Sequence, residues 1–328
     1  MKKIVSSVVK ILLSGLLALV ILSVYTYFFN NSGVHVRNPS SATDYKWEPY
    51  QRKSTIVEGF AWVTMDGDGY NNRTIPEEID ILLMGSSQME AVNISQPENT
   101  GTLLNELIKN KKTYNIGTSG HTIYTCVQNL KPALACYHPK DWVVLVCDTV
   151  ILEKEKMNAV SSGNYPKISS YDTGPIYYIQ KNFPVIKSLY KCIEDWRKLE
   201  ESKVQTIETE FNAEYKTAVE NFLRKAADAA ASEGVELLIV YQPVTKLDSE
   251  GEMMDNADSV ALQIFQQVCK ETNIYFLDMT DDFKKLYDEK HILAHGFINT
   301  AVGTGHLNAY GHQIIAAKVT EVIGGKMK

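Results

Sequence analysis

The sequence predicts an α/β protein with a parallel sheet covered by helices on both faces and one transmembrane helix at the N-terminus. Two observations support this prediction. Short, continuously apolar runs alternate with stretches of helical periodicity, as in buried parallel strands. A charge-free apolar run also lies close to the first residue. The chain of 328 residues is 45% hydrophobic, which is enough to form a full core.

The apolar run extends from Ile11 to Phe29. At about 1.5 Å per residue it spans roughly 30 Å of hydrocarbon. Lys2, Lys3 and Lys10 precede it, which predicts a cytoplasmic N-terminus and an extracytoplasmic body. The alternative is a cleaved signal peptide. The length of the run and the lack of a small-x-small cleavage site after it favour an uncleaved signal-anchor in the cell membrane.

The predicted organisation has three parts. Residues 1–30 form the cytoplasmic stub and transmembrane helix, 31–45 form a flexible stalk rich in Asn, Ser, Gly and Pro, and 46–328 form the extracytoplasmic domain. Within that domain, 151–200 is a possible cap insertion. The predicted strands are 80–84, 113–116, 142–147, 235–240 and 274–277, and the predicted helices are about 100–110, 122–136, 205–233, 257–272 and 308–323.

Composition excludes some classes of partner. The net charge is −6, and no basic stripe is present to neutralise phosphates, so we expect no nucleic acid partner. None of the five cysteines has metal-ligand spacing, and we expect no essential disulfide. His291 and His295 have the spacing of a zinc pair but lack a neighbouring general-base glutamate. Residues 66–72 (DGDGYNN) lack the glutamate that ends a calcium-binding loop. We therefore expect no metal and no cofactor.

The first predicted strand ends in Gly85-Ser86-Ser87. A serine at a sharp strand-to-helix turn exposes its hydroxyl at the carboxyl edge of the sheet, where sites of parallel α/β proteins lie. Serine is also a preferred helix N-cap, so this stretch alone favours a cap. A second stretch, TGHLNAYGHQ, places His306 in a glycine-flanked turn before the last helix. A base that can pair with Ser87 is the minimum for nucleophilic catalysis.

Together these blocks resemble the SGNH (GDSL) hydrolase superfamily over about residues 78–324. The resemblance implies a flavodoxin-like fold and a Ser-His-Asp site. Gly85-Ser86-Ser87 matches the family's Gly-Asp-Ser block, which makes Ser87 the implied nucleophile and its backbone N–H an oxyanion donor. The stretch YNIGTSGHT matches the second block, with Gly120 as the second donor. In the last block His306 is the implied general base. His312 is expected to have a structural role, in which it packs or caps the final helix.

Two positions depart from the family pattern. Gly303 stands where the family has an acid, so the imidazole of His306 must be oriented by another group: a backbone carbonyl, Asp148 or an acid in 278–290. A Ser-His dyad is also compatible with the sequence. The third block lacks its asparagine after the strand at 142–147. Asp148 or Thr149 occupies that strand end, and of these two Thr149 can donate a hydrogen bond whereas an ionised Asp148 cannot.

The Gly-Ser-Ser block, the missing asparagine and the anchor are similar to those of the membrane-anchored SGNH relative that completes D-alanylation of teichoic acids. Similar anchored relatives act on O-acetyl groups of exopolysaccharides. The resemblance therefore implies a serine esterase or O-acyltransferase that acts on acylated cell-envelope glycans. The alternative is a non-catalytic SGNH-fold envelope protein that binds glycans or serves as a scaffold, which would explain both departures.

Overall fold

The structure is a computed structural model. It describes residues 2–31, 33–38, 45–166, 174–188, 190, 211–245, 247–248, 250–253, 259–301 and 303–326.

The centre of the protein is a five-stranded parallel sheet. Its strands are β5 (Ile81–Gly85), β6 (Thr113–Asn115), β7 (Trp142–Cys147), β8 (Glu236–Tyr241) and β9 (Tyr275–Asp278). Their spatial order is β6-β5-β7-β8-β9, and every neighbouring pair is parallel. This is the 2-1-3-4-5 order of flavodoxin-like folds, so the predicted fold class is confirmed. Each of the five predicted strands starts within one residue of the observed strand.

Side chains that alternate along the strands build one core on each face of the sheet. Leu82 and Leu145 face one core, and Leu83 and Val144 face the other. Helices α4 (Ile123–Tyr137), α5 (Lys154–Ser162), α7 (Ala213–Ser232) and α8 (Val260–Glu271) cover the first face; α3 (Thr100–Leu107), α9 (Thr280–Lys290) and α10 (Ala309–Lys326) cover the second. A four-residue helix, α2 (Ser87–Glu90), follows β5, and a 3₁₀ turn spans Gln96–Glu98.

The region expected to form a cap is part of the fold where it is described. Met157 and Val160 of α5 are fully buried in the first core, so α5 covers the sheet rather than its edge. The next helix, α6 (Gly174–Asn182), reaches back to the N-terminal part, where Tyr177 donates a hydrogen bond to Glu48 at 2.8 Å. Most of 189–210 lies outside the described residues, including Cys192 and the first part of the helix predicted at 205–233.

Four short strands precede the sheet and form two antiparallel hairpins. They are β1 (His35–Arg37) with β2 (Tyr45–Trp47), and β3 (Arg52–Thr55) with β4 (Ala61–Thr64). The prediction of a flexible stalk at 31–45 is therefore wrong for the described residues 33–38. Val34 is fully buried, and β1 is hydrogen-bonded along its length to β2.

Helix α1 (Lys2–Phe29) is long and apolar enough to cross a membrane, judged by its length and composition. Its end contacts the second hairpin directly. Trp62 donates its indole N–H to the carbonyl of Phe28 at 2.7 Å, and the ring of Trp62 meets that of Phe29 edge-on. Two residues after the helix, Asn31 and Ser54 exchange hydrogen bonds. The second hairpin thus packs against the end of the apolar helix.

Candidate active site

Ser87 and His306 meet at the carboxyl edge of the sheet. Strand β5 is fully buried and ends at Gly85, so the chain turns out of the sheet at Ser86. Ser86 is the N-cap of α2, and its hydroxyl accepts the N–H of Gln88. Ser87 is the first residue of that helix, and its Oγ lies 2.9 Å from Nε2 of His306. The two serines therefore divide the functions that the sequence left open: Ser86 caps the helix and Ser87 faces the imidazole.

The other side of His306 faces a residue that the sequence analysis did not identify. Oε2 of Glu58 lies 2.8 Å from Nδ1 of His306, an ion-pair distance, although the ring N–H does not point straight along this contact. Oε1 of the same carboxylate accepts the backbone N–H of His306 at 2.7 Å. Both side chains are only about one quarter exposed. Glu58 thus lies beside the ring nitrogen of His306 that faces away from Ser87.

Glu58 lies in the turn of the second N-terminal hairpin, between β3 and β4, and long-range contacts fix that turn. Asn299 accepts the N–H of Gly59 at 3.0 Å and donates to the carbonyls of Ile56 and Gly59. Asn93 donates to the carbonyl of Glu58 at 3.0 Å. Asn93 and Asn299, from two distant parts of the chain, therefore fix the turn that carries the carboxylate.

Gly305 makes room for that carboxylate. Its φ is +91°, a conformation that favours glycine, and a Cβ added there would lie 2.2 Å from Glu58 Oε1. The loop of His306 is also held from α2. Gln88 accepts the N–H of Leu307 at 2.7 Å, and its amide reaches the carbonyl of Gly305 at 3.5 Å. Gln88 and Glu58 therefore both hold the loop that carries His306.

The turn that carries Gly120 continues the sheet edge beside Ser87. Thr118 donates its N–H to the carbonyl of Gly85 at 3.1 Å, and the φ of Gly120 is +80°. The buried carboxylate of Glu90, at the end of α2, accepts the N–H of Ser119 at 3.0 Å and also its hydroxyl. The Tyr45 hydroxyl donates to the carbonyl of Ser119. Glu90 of α2 and Tyr45 of β2 therefore both hold the turn at Ser119–Gly120, which carries the candidate oxyanion donor.

Glu90 is also held by the N-terminal hairpins. Trp47 donates its indole N–H to Glu90 at 2.7 Å, and the ammonium of Lys53 lies 3.9 Å from the same carboxylate and 3.4 Å above the Trp47 ring. A charge that is 1% exposed requires such partners, because an unpaired buried carboxylate is costly. The hairpins thus support both the acid beside His306 and the turn beside Ser87.

The remaining candidates lie apart from this arrangement. Asp148 and Thr149 follow β7 and are exposed; Thr149 accepts the N–H of Ile151 at 3.2 Å within its own turn. Because Glu58 lies against Nδ1 of His306, the prediction that Asp148 or an acid of 278–290 orients this ring is wrong. His312 is buried, and its Nδ1 meets the N–H and hydroxyl of Thr100 at the start of α3, so it packs between helices α10 and α3.

The residues considered for metal binding have other contacts. His291 ends α9 in the left-handed region, whereas His295 is buried and hydrogen-bonded to Gln242 at 2.7 Å. Asp66 accepts the N–H groups of Asp68 and Tyr70 and so closes its own turn. Within the described ranges, no group of three or more His, Cys, Asp or Glu side chains could hold a metal ion.

Burial sets the protonation of the histidines around the site. It lowers the pKa of His312 to about 3 and those of His295 and His121 to about 4, and His306 contributes to the lowering of the first two. Burial disfavours the charged form of an imidazole, so these three rings are neutral at pH 7. Ser87 lies at one ring nitrogen of His306 and the carboxylate of Glu58 lies beside the other.

No family model and no curated protein matches the chain. Several solved structures are similar to it. An acetyl xylan esterase is 15% identical, with a TM-score of 0.44, over 75% of this chain and 100% of that one. A lipolytic protein of the G-D-S-L family from Veillonella parvula is 16% identical, with a TM-score of 0.41, over 74% and 97%. A protein from Bacillus subtilis is 12% identical, with a TM-score of 0.47, over 90% and 87%.

Proposed function

We propose that this protein is a serine esterase or O-acyltransferase of the SGNH type. One observation carries the proposal: Ser87, His306 and Glu58 form a continuous series of contacts, with 2.9 Å between Oγ and Nε2 and 2.8 Å between Nδ1 and the carboxylate. These are a nucleophile, a base and a group that orients the base, each within reach of the next. The acid comes from Glu58 instead of the family position before the histidine.

The mechanism follows from these positions. His306 Nε2 takes the proton of the Ser87 hydroxyl as Oγ attacks the carbonyl carbon of an ester. Glu58 stabilises the imidazolium that forms and keeps Nε2 directed at Ser87. The backbone N–H groups of Ser87 and Gly120 hold the oxyanion, an interaction typically worth about 3 kcal/mol per donor.

Collapse of the tetrahedral intermediate breaks the ester C–O bond, and the alcohol leaves with the proton from His306. The acyl group remains on Ser87 Oγ. In the second half of the reaction His306 takes a proton from water or from an acceptor hydroxyl, whose oxygen attacks the acyl carbon. Ser87 then leaves with a proton from His306. Water as the acceptor gives an esterase, and a sugar hydroxyl gives an O-acyltransferase.

The proposed location and substrate class come from the N-terminal helix. α1 is apolar over the length of a bilayer, and the lysines before it favour a cytoplasmic N-terminus. The body would then lie on the extracytoplasmic side, anchored to the cell membrane by a single span. We propose acylated glycans of the cell envelope, on that side of the membrane, as the substrate class. The described site requires no metal or cofactor for this chemistry.

The test is covalent labelling of the full chain with a fluorophosphonate, read by intact mass and peptide mapping. We expect one adduct, on Ser87, and none in Ser87→Ala. Ser86→Ala is the matched control: it removes the neighbouring hydroxyl and a helix cap worth about 1 kcal/mol but leaves the nucleophile, so it should still be labelled. A folded wild-type protein that forms no adduct would contradict the proposal and favour the non-catalytic, glycan-binding alternative.

A further inference from the structure

A large apolar groove lies behind the turn that carries Glu58, outside the Ser87–His306 cleft. Its volume is about 1050 Å³, which is the size of a pocket for a sizeable small molecule. Neither Ser87 nor His306 lines it. Its walls are mainly aliphatic and aromatic side chains. They come from the hairpin, the residues before α3, the loop after α9 and the start of α10, and they include Phe60, Ile94, Leu293, Phe297, Ile298 and Tyr310.

The rim of this groove exposes large apolar side chains to solvent. Ile298 is 96% exposed, Phe60 56% and Tyr310 48%. Single exposed apolar residues are common, but several around one apolar depression indicate a binding surface. Among the described lining residues none is a lysine or arginine, and Glu98 is the one carboxylate. The lining therefore suits an uncharged, apolar ligand rather than a phosphate or a sugar acid.

The position of the groove indicates where such a ligand comes from. Phe60 forms part of its wall and lies two residues before Trp62, a separation of about 7 Å along an extended chain. Trp62 contacts Phe28 and Phe29, the last residues of α1. The headgroup layer on each side of a bilayer is roughly 5–8 Å thick. If α1 spans a membrane, the groove therefore opens at the membrane surface.

We propose that this groove binds one acyl chain of a phospholipid from the outer leaflet. The inference rests on the proposed insertion of α1 in a membrane and does not depend on catalysis. The exposed aromatic and aliphatic rim would lie in the interfacial layer, where amphipathic aromatic side chains are favoured. Burial of an acyl chain removes apolar surface from water on both partners.

Lipid in the groove would also contact residues that hold the turn around Glu58. Phe297 lines the groove and packs so closely on Gly59 that a Cβ added there would lie 3.0 Å from the ring. Gly59 is the residue after Glu58, and its N–H and carbonyl are both held by Asn299. A bound chain would therefore restrict the turn that positions the carboxylate against His306.

The test uses the full chain in nanodiscs that contain a phospholipid with a photoactivatable group on one acyl chain. After irradiation, the cross-linked peptides are identified by mass spectrometry. We expect lipid adducts on α1 and on peptides that contain Phe60 and residues 293–298. Adducts on α1 alone would overturn the proposal.

Two isoleucine variants make the result specific. Ile298→Asp places a charge at the rim and should reduce lipid adducts on the groove peptides about tenfold or more while leaving those on α1 unchanged. Ile75→Asp is the matched control, since Ile75 is 48% exposed and does not line the groove. Equal groove labelling in both variants would contradict the proposal. Ser87→Ala should be labelled by lipid like the wild type, so failure of the proposed catalysis is distinguishable from failure of lipid binding.

Discussion

The sheet body and the N-terminal hairpins contribute to the candidate site in different ways. The body, from β5 to α10, presents Ser87 at the end of a strand and His306 before the last helix. The hairpins, residues 35–64, supply Glu58 to His306 and hold Glu90 through Trp47 and Lys53. Ser87 and His306 thus belong to the body, whereas Glu58 and the residues that hold Glu90 come from a segment in which the sequence predicted no strand. Substitutions at the contacts between the two parts separate their contributions.

Glu58→Gln should have the largest effect on the reaction. The amide keeps the size of the side chain but cannot stabilise an imidazolium, so we expect kcat to fall about 10³- to 10⁴-fold at neutral pH. The measurement is hydrolysis of an aryl ester together with the rate of fluorophosphonate labelling. Glu78→Gln is the control, because Glu78 is 71% exposed and pairs with Lys140 away from the site. Full activity in Glu58→Gln would show that Ser87 and His306 act as a dyad.

Gly305→Ala should reduce activity about 10²-fold, because the new methyl group would displace the carboxylate of Glu58. Gly163→Ala separates this effect from backbone strain. Gly163 has a φ of +78°, but nothing lies within 4 Å of an added Cβ. Both variants should lose similar stability in thermal unfolding, and only Gly305→Ala should lose activity. Similar activity losses in the two would argue against the placement of Glu58 as the cause.

Asn299→Ala should have a moderate effect through the hairpin turn. It removes three hydrogen bonds to the backbone of residues 56–59, each with a net contribution of about 0.5–1.5 kcal/mol. We expect kcat to fall about tenfold with a smaller change in KM, because the turn positions the acid and does not bind the substrate. Asn221→Ala, on α7, is a control outside the site. An unchanged kcat would mean that the turn holds Glu58 without Asn299.

The smallest expected effect is that of His312→Gln, in the body, on the pH dependence of stability. Burial lowers the pKa of His312 to about 3 in the folded protein, against about 6.5 when unfolded. Between these values the unfolded chain binds a proton that the folded chain does not, so the free energy of unfolding decreases as the pH falls below about 6.5. In His312→Gln the slope of unfolding free energy against pH should be smaller by up to about 1.4 kcal/mol per pH unit. Urea unfolding at pH 5 and pH 7 measures it, and an unchanged slope would contradict burial of a neutral ring.

The body was predictable because its signals are local. Runs such as 142–147 are apolar at every position and too short for a typical helix, as expected of a strand buried on both faces. The glycine and serines after β5 and the histidine before α10 are also local, which is why Ser87 and His306 could be identified before their contact was known. The hairpins gave weak signals, since strands of three or four residues carry too few positions for periodicity.

Local sequence was enough to predict the order of strands and helices along the chain, the apolar helix, and Ser87 and His306 as candidate site residues, because each of these depends on residues close together in the chain. Only the tertiary structure decided which acid faces His306, since Glu58 and His306 are 248 residues apart and no periodicity relates them. The tertiary structure also decided that Asn299 holds the turn around Glu58 and that Gly305 leaves space for its carboxylate. Such contacts depend on how a hairpin packs on a distant loop, and that packing is set by the shape of the whole fold.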